Sequence, residues 1–301
     1  MPIRVASAIK DAIAQGHAVV ALESTVVTHG LPAPQNLELA LDLERIVREA
    51  GAHPATVGVL DGDLVVGLSE QELARLATGG AEKATLWNLA ALMAFGQAAG
   101  TTVATTLHAA HLSGISVFAT GGIGGVHDEP FDESADLAAL ARTPVITVCA
   151  GPKSILNAEA TLERLETAGV PVLGYRSNRL AGFHVPLTDL PVSARLDTPE
   201  DVAATYRNHR ELGLDQALLV SNPVSEGFTR ETYAAWLEQA REAAAANGIR
   251  GHATTPFLLD ALAKASQGAT VDVNLRLLRE NTQLASEIAH AVASTRSGVL
   301  A

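Results

Sequence analysis

The chain has 301 residues, enough for one large α/β domain or two smaller ones, and 48% are hydrophobic, which supplies a substantial core and excludes a disordered chain. Lys and Arg number 21 against 33 Asp and Glu, and the resulting charge of −12 argues against broad nucleic-acid binding, leaving room only for a local basic pocket. A single cysteine, Cys149, excludes an intramolecular disulfide and an all-cysteine zinc site, and fits a reducing, cytoplasmic setting.

Met1 to Lys10 does not read as a signal peptide, because Lys10 and Asp11 stop it before an apolar run develops. His17–Leu22 reads as a strand and Gln35–Ala50 as a helix. Thr56–Val66 is rich in β-formers around Asp61-Gly62, a hairpin signal. Ser69-Glu-Gln-Glu72 has capping-box spacing at the head of a helix running to Ala77. Two helices, Lys83–Ala98 and Thr102–Leu112, are expected to meet at Gly100. The most apolar stretch, Leu89–Leu112, is interrupted by Gln97, His108 and His111, so it falls short of the roughly 20 apolar residues of a membrane span.

Further strands are expected at Ser116–Ala119, Pro144–Cys149, Val170–Tyr175 and Gln216–Val220. Further helices are expected at Ser134–Ala141, Ser154–Ala168, Pro199–Leu212, Arg230–Asn247, Pro256–Ala265 and Val271–Ala293, with Thr198-Pro199 placing proline at a first helical position. The alternation predicts a single three-layer α/β/α domain over residues 1–301, its sheet largely parallel but mixed. Sites in such sheets gather at the carboxyl ends of strands.

The residues just past those strand ends are the chemical candidates. Glu23 follows Val19-Val-Ala-Leu22. A carboxylate there is either a desolvated general acid or a turn group accepting backbone N–H bonds. His29-Gly30 reads as a turn. Thr120-Gly-Gly-Ile-Gly-Gly-Val-His127 lets backbone amides approach an anion, yet matches neither a P-loop nor a dinucleotide fingerprint; a flexible turn is its plainer reading. In Asp132-Glu-Ser-Ala-Asp136, Ser134 caps the next helix, or the carboxylates hold a hard metal ion. Lys153, after Val145 to Cys149, is placed to be an imine-forming nucleophile or a phosphate-binding cation. Lys83 at a helix start hints at an anionic partner. His108 and His111, three apart, read as core or interface histidines.

Together these segments resemble the pseudouridine-5′-phosphate glycosidase family, also called indigoidine-synthase-A-like. The matching stretches include Val19 to Gly30, Thr101-Thr-Val-Ala-Thr105, Phe118 to His127, Asp132 to Leu137, Val148-Cys-Ala-Gly-Pro-Lys-Ser-Ile-Leu156, Asp197-Thr-Pro-Glu200, Ser221-Asn-Pro223, Thr255-Pro-Phe257 and Asn274. The resemblance implies a homotrimeric α/β/α enzyme that splits pseudouridine 5′-phosphate reversibly into ribose 5-phosphate and uracil, with one Mn²⁺ per subunit. It puts Lys153 on the imine-forming lysine, Glu23 on the proton donor and Asp132 on the metal ligand. It puts Lys83, Val103, Ser134, Ala135 and Asp136 on substrate contacts, His127 near the phosphate, and Asn274 on a nucleobase contact.

The chain departs from the family pattern in three places. Trp87-Asn88 stands where relatives carry Arg-Asp, the loop from His127 to Asp132 is shorter and lacks an arginine, and Asn157 replaces an aspartate. All three lie near substrate-recognition elements. Two alternatives follow: a C-glycoside synthase joining ribose 5-phosphate to another aromatic acceptor, and a catalytically silent phosphosugar-binding protein.

Overall fold

Along the central strands, neighbouring residues bury opposite faces, as a two-residue period requires. Val19 and Ala21 enter one apolar cluster, Val20 and Leu22 another. A strand buried on both faces needs helices on both sides. The computed structural model describes residues 3–129, 131–249 and 254–297. The first two residues of the opening segment, Pro130 of the His127–Asp132 loop, residues 250–253 and the end of the predicted 1–301 span lie outside the described residues.

The chain begins with β1 (Ile3–Val5), α1 (Ser7–Ala14), β2 (Val19–Leu22), a π-helical turn (Val26–Gly30), α2 (Gln35–Glu49), β3 (His53–Leu60), β4 (Asp63–Val66) and α3 (Glu70–Ala77). Next come β5 (Glu82–Ala84), α4 (Leu89–Ala94), β6 (Ala99–Thr101), α5 (Val103–Ser113), β7 (Val117–Ala119), α6 (Ala135–Leu140), β8 (Ile146–Cys149) and α7 (Ala158–Thr167). The remainder is β9 (Val172–Tyr175), β10 (Arg179–Gly182), β11 (Val185–Pro191), β12 (Ala194–Leu196), α8 (Pro199–Glu211), β13 (Leu218–Ser221), α9 (Arg230–Ala246), α10 (Thr254–Ala265) and α11 (Ala269–Ser297).

The main sheet runs β1-β4-β3-β2-β7-β8-β13-β9-β12, with β6 and then β5 branching from β3. From β3 through β12 every pairing along that path is parallel; the β3–β4 hairpin and the β3–β6 pair are antiparallel. The expected largely parallel mixed sheet between helical layers is therefore what forms. The cluster on one face takes in Leu107 of α5, Leu140 of α6 and Leu165 of α7; the other takes in Leu43 of α2, Val202 of α8 and Leu277 and Ile288 of α11. Among the described residues no helix is long and apolar enough to cross a membrane.

The predicted helix Lys83–Ala98 is corrected. Glu82–Ala84 is a strand, pairing Lys83 with Gly100 of β6, and only Leu89–Ala94 is helical. The sheet edge captures this backbone, and Asn88 Oδ1 accepts from Thr85 N and Thr85 Oγ1 (2.8 and 3.1 Å) in the turn that precedes the short helix. Gly100 is thus in a strand, and glycine is needed there because a Cβ would stand 2.3 Å from Thr28 Oγ1. The predicted helix Ser154–Ala168 begins only at Ala158, because the Lys153 and Asn157 amides donate instead to Ile123 and Val126 carbonyls. The structure adds β1, α1, β12 and the separate β10–β11 hairpin to the elements expected from the sequence.

Candidate active site

Three strand ends build the floor of the site. β2 delivers Glu23, β7 delivers Thr120 and the glycine loop, and β8 delivers Gly151-Pro-Lys153. The two loops after β7 and β8 are stitched together: Ala150 N donates to Gly121 O, Ile123 N to Gly151 O, and Lys153 N to Ile123 O, at 2.9 to 3.1 Å. Gly151 adopts φ +87°, and a Cβ there would meet Ala181 O at 2.2 Å. Gly124 and Gly125 serve close approach: a Cβ would fall 2.2 Å from Ser134 Oγ and 2.3 Å from Thr161 Oγ1 respectively. The plainer reading of this loop as a flexible turn is therefore corrected; its glycines are packed.

Glu23 accepts a hydrogen bond from Thr120 Oγ1. Its pKa is raised, foremost by burial; the Lys153 charge opposes this most, followed by the Thr120 hydrogen bond and Lys83, while Asp136 adds to the rise. Lys83 is pushed down, first by burial and then by Lys153, against Asp136 and Glu23. Glu23, Lys83, Asp136 and Lys153 therefore share one electrostatic site, although they come from β2, β5, the head of α6 and the loop after β8. Among the described residues neither lysine makes an ion pair within 4.0 Å. Two cations without a contacting carboxylate suit an anionic ligand.

Asp136 has another task as well. Its Oδ1 accepts from Ala104 N at 3.0 Å and its Oδ2 from Gly124 N at 2.8 Å. It fixes the head of α5, where Val103 is buried, against the glycine loop. Ser134 caps α6 by accepting from Asp136 N at 3.2 Å, and Ala135 is exposed in the first turn. Both the capping and the site readings of this segment therefore have a structural footing.

Beside this floor, His127, Glu129 and Asp132 bring one ligand atom each to within 4.8 Å of one another. Asp132, expected as a metal ligand, thus has a histidine and a second carboxylate next to it. Glu129 went unnoticed because it sits in an exposed loop without a periodic signal; the backbone bond from His127 N to Asp132 O (2.9 Å) folds that loop back. Asn157 caps α7 by accepting from Ala160 N at 2.9 Å and donates to Asp128 Oδ1 at 3.0 Å, a donor role an aspartate could not fill.

Further residues appear only in three dimensions. His184 is fully buried, with Nδ1 2.8 Å from Ser154 Oγ and Nε2 2.9 Å from Asn274 Oδ1; Tyr233 Oη lies 2.6 Å from the same Ser154 Oγ. Asn281 Nδ2, two turns beyond Asn274 on α11, donates to Thr120 O at 2.9 Å. His29 lies in the π-helical turn after Glu23, a rare geometry frequent at functional sites. Its pKa is lowered by burial and then by Lys83, which places it near that lysine. His108 is half-buried and His111 exposed on α5. Burial pushes the Cys149 thiol up to about 12 and leaves it unreactive.

A sequence profile for "Indigoidine synthase A like protein" matches residues 8–291, which takes in every site residue just described. The chain belongs to this family. It is 59% identical over 274 residues to a pseudouridine-5′-phosphate glycosidase of Thermus thermophilus, an alignment covering 91% of this chain and 97% of that protein. It is 45% identical over 295 residues to the enzyme of the same name from Saccharopolyspora erythraea, covering 96% and 97%. In three dimensions it resembles the prealnumycin C-glycosynthase AlnA, crystallised with ribulose 5-phosphate, at TM-score 0.92, 36% identity and 98% of each chain. An indigoidine-synthase-A-like protein of Thermotoga maritima superposes with TM-score 0.88 at 36% identity, over 97% of this chain and 98% of that one. The strand-end floor thus sits within a scaffold that these relatives share over nearly their whole lengths.

Proposed function

We propose that the protein is an enzyme that cleaves the C-glycosidic bond of pseudouridine 5′-phosphate reversibly, giving ribose 5-phosphate and uracil. The observation that carries this is the pairing of a half-buried carboxyl group of raised pKa, Glu23, with two lysines that among the described residues make no ion pair within 4.0 Å, beside a packed glycine loop. The relatives bearing the glycosidase name support it over nearly the full chain.

A C-glycoside has no leaving heteroatom to protonate, so two-carboxylate hydrolysis has little purchase. In this reading the Lys153 amine attacks C1′ and displaces the ring oxygen, which takes up a proton. The nitrogen lone pair then forms the C=N bond as the C1′–C5 bond breaks. Uracil C5 leaves with that electron pair and takes a proton from Glu23. Water adds to the imine and releases ribose 5-phosphate and the lysine. Lys83, the glycine-loop amides and the head of α5 with Val103 hold the phosphosugar, Ser134, Ala135 and Asp136 flank it, His127 lies near the phosphate, and Asn274 meets the base.

Asp132, with His127 and Glu129, is a hard and borderline donor set that fits a divalent ion such as Mn²⁺. Such an ion supplies positive charge beside the substrate's oxygens. A homotrimeric, cytoplasmic enzyme belongs to the same proposal; the nearly fully exposed Trp87 and Phe131, close in sequence to Lys83 and Asp132, support self-association. The similarity to the prealnumycin C-glycosynthase supports a second reading, a synthase joining ribose 5-phosphate to another aromatic acceptor. Incubation with Mn²⁺, ribose 5-phosphate and uracil decides between them. Pseudouridine 5′-phosphate detected by mass is expected; if active protein forms only adducts with other acceptors, the synthase reading takes its place.

A further inference from the structure

Asn281, midway along α11, has no part in the reaction scheme, yet it is only 1% exposed and both polar atoms of its side chain are bonded. Its Nδ2 faces two main-chain oxygens, Thr120 O at 2.9 Å and Gly121 O at 3.3 Å. A carbonyl can only accept, so the amide can be turned only one way. Its Oδ1 then faces Asn222, whose Nδ2 donates to it at 3.0 Å. Asn222 follows β13, and its own N donates to Cys149 O at 2.8 Å, at the end of the strand that leads to Lys153.

This chain of amides pins Thr120. The Thr120 N donates to Val148 O at 3.0 Å, and the Thr120 O accepts from Asn281. With its main chain held at both ends, a β-branched side chain has few rotamers left. The hydroxyl bonds Glu23 Oε1. Thr120 is 1% exposed, and among the described residues this oxygen is the one acceptor within its reach, so the hydroxyl donates. An Oε1 that accepts this bond leaves Oε2 to carry the proton of the neutral acid. Glu23 itself is half-buried, and among the described residues its Oε2 has no hydrogen-bond partner.

We infer that Asn281 is a positioning residue for the proton donor: by fixing the Thr120 carbonyl it aims the Thr120 hydroxyl at Glu23 Oε1 and keeps the transferable proton on Oε2. In the cleavage step the Oε2–H bond breaks. Its proton goes to uracil C5, which holds the electron pair of the broken C1′–C5 bond. The carboxylate left behind accepts a stronger bond from Thr120 than the neutral acid does, so the hydroxyl that aims the acid also steadies its conjugate base. The inference rests on Glu23 being the proton donor, as proposed above.

The groups around Glu23 give the sign of the test. Burial and Asp136 at the head of α6 favour the neutral acid; Lys153 after β8, the Thr120 hydroxyl after β7 and Lys83 of β5 favour the carboxylate. Losing the Thr120 bond removes one group that favours the carboxylate. Thr120→Val and Asn281→Ala should therefore both move the alkaline fall in kcat to higher pH. Plateau kcat should drop roughly tenfold in Thr120→Val, the worth of one bond to a developing charge. Thr120→Ser, which keeps the hydroxyl, should return the fall toward its wild-type pH. Because Asn281 acts through Thr120, the double variant should lose no more than about twofold beyond Thr120→Val alone. Should Asn281→Ala fail to fold, Asn222→Ala, which frees Asn281 Oδ1, should shift the profile in the same direction with a smaller loss. A pH profile that stays in place in the folded variants, or losses that simply multiply in the double variant, shows a merely structural asparagine. A second readout needs no turnover. In protein labelled with ¹³Cδ-glutamate, the Glu23 resonance, assigned by its absence in Glu23→Gln, should titrate at higher pH in Thr120→Val and Asn281→Ala than in wild type. If the wild type neither cleaves nor forms pseudouridine 5′-phosphate, the reaction scheme fails, and this titration alone then decides whether Asn281 aims Thr120 at Glu23.

Discussion

The floor around Glu23 and Lys153 and the loop from His127 to Asp132 lie side by side but are built on opposite principles. On the floor the atoms are committed: Thr120 bonds Glu23, Asp136 spends both oxygens on backbone amides, and the two strand-end loops bond each other. Glycines there admit no Cβ. The loop instead offers His127, Glu129 and Asp132 on a half-exposed turn, steadied by the His127–Asp132 and Asp132–Glu129 backbone bonds and by Asn157 and Arg241 on Asp128. A committed floor holds an acid and a nucleophile in place without reorganisation. An open loop can change length, and with it the metal or substrate contacts, without unpacking the core.

This contrast is sharpest at Lys153. Lys153→Ala should abolish turnover and also the pentose-phosphate mass that borohydride adds to the Lys153 peptide in the wild type. An active wild type that yields no adduct removes the imine from the scheme.

Glu23→Ala should come next, losing roughly 10²–10⁴-fold in uracil release while still trapping ribose 5-phosphate. Because burial raises the Glu23 pKa, the protonated acid persists to higher pH than an ordinary glutamic acid, and cleavage should fall as pH rises through that raised value. Wild-type cleavage by Glu23→Ala would make it a turn carboxylate only.

The loop should break differently. EDTA should suppress activity and Mn²⁺ restore it, with Asp132→Asn binding Mn²⁺ less tightly than wild type in a titration followed by electron paramagnetic resonance. Glu129→Gln should weaken Mn²⁺ by a smaller factor and leave thermal stability in place. Full activity in chelator would detach the loop from the chemistry.

The smallest effect concerns stability. His184 has its folded pKa lowered to about 4 from an ordinary 6.5, so the unfolded chain binds the extra proton first. Its contribution is present above pH 6.5 and lost as pH falls toward 4, at most about 3 kcal/mol by linkage. His184→Gln should flatten the stability curve across that window in urea unfolding; an unaltered slope would mean that the ring is not held neutral.

Much of this was legible from residue order. Short apolar runs marked β2 and β8, so Glu23 and Lys153 could be placed just past strand ends, where a parallel sheet gathers its ligands. Ser69 and Thr198 announced their helices through local side-chain-to-backbone bonds. What stayed hidden was whatever depends on distant partners. Lys83 looked like a helix start until β6 captured its backbone. The glycine loop looked flexible until Ser134 and Thr161 closed on it. Glu129 joined His127 and Asp132 only when the loop turned back. His184 stands beside Ser154, Tyr233 and Asn274 because a hairpin, a loop and two helices converge there. Local order fixes the period of an element and the chemistry at its ends, since those follow from neighbouring dihedrals and caps. The partner of a buried polar atom is settled by packing across the chain, where each donor and acceptor must be satisfied by whatever the fold brings near.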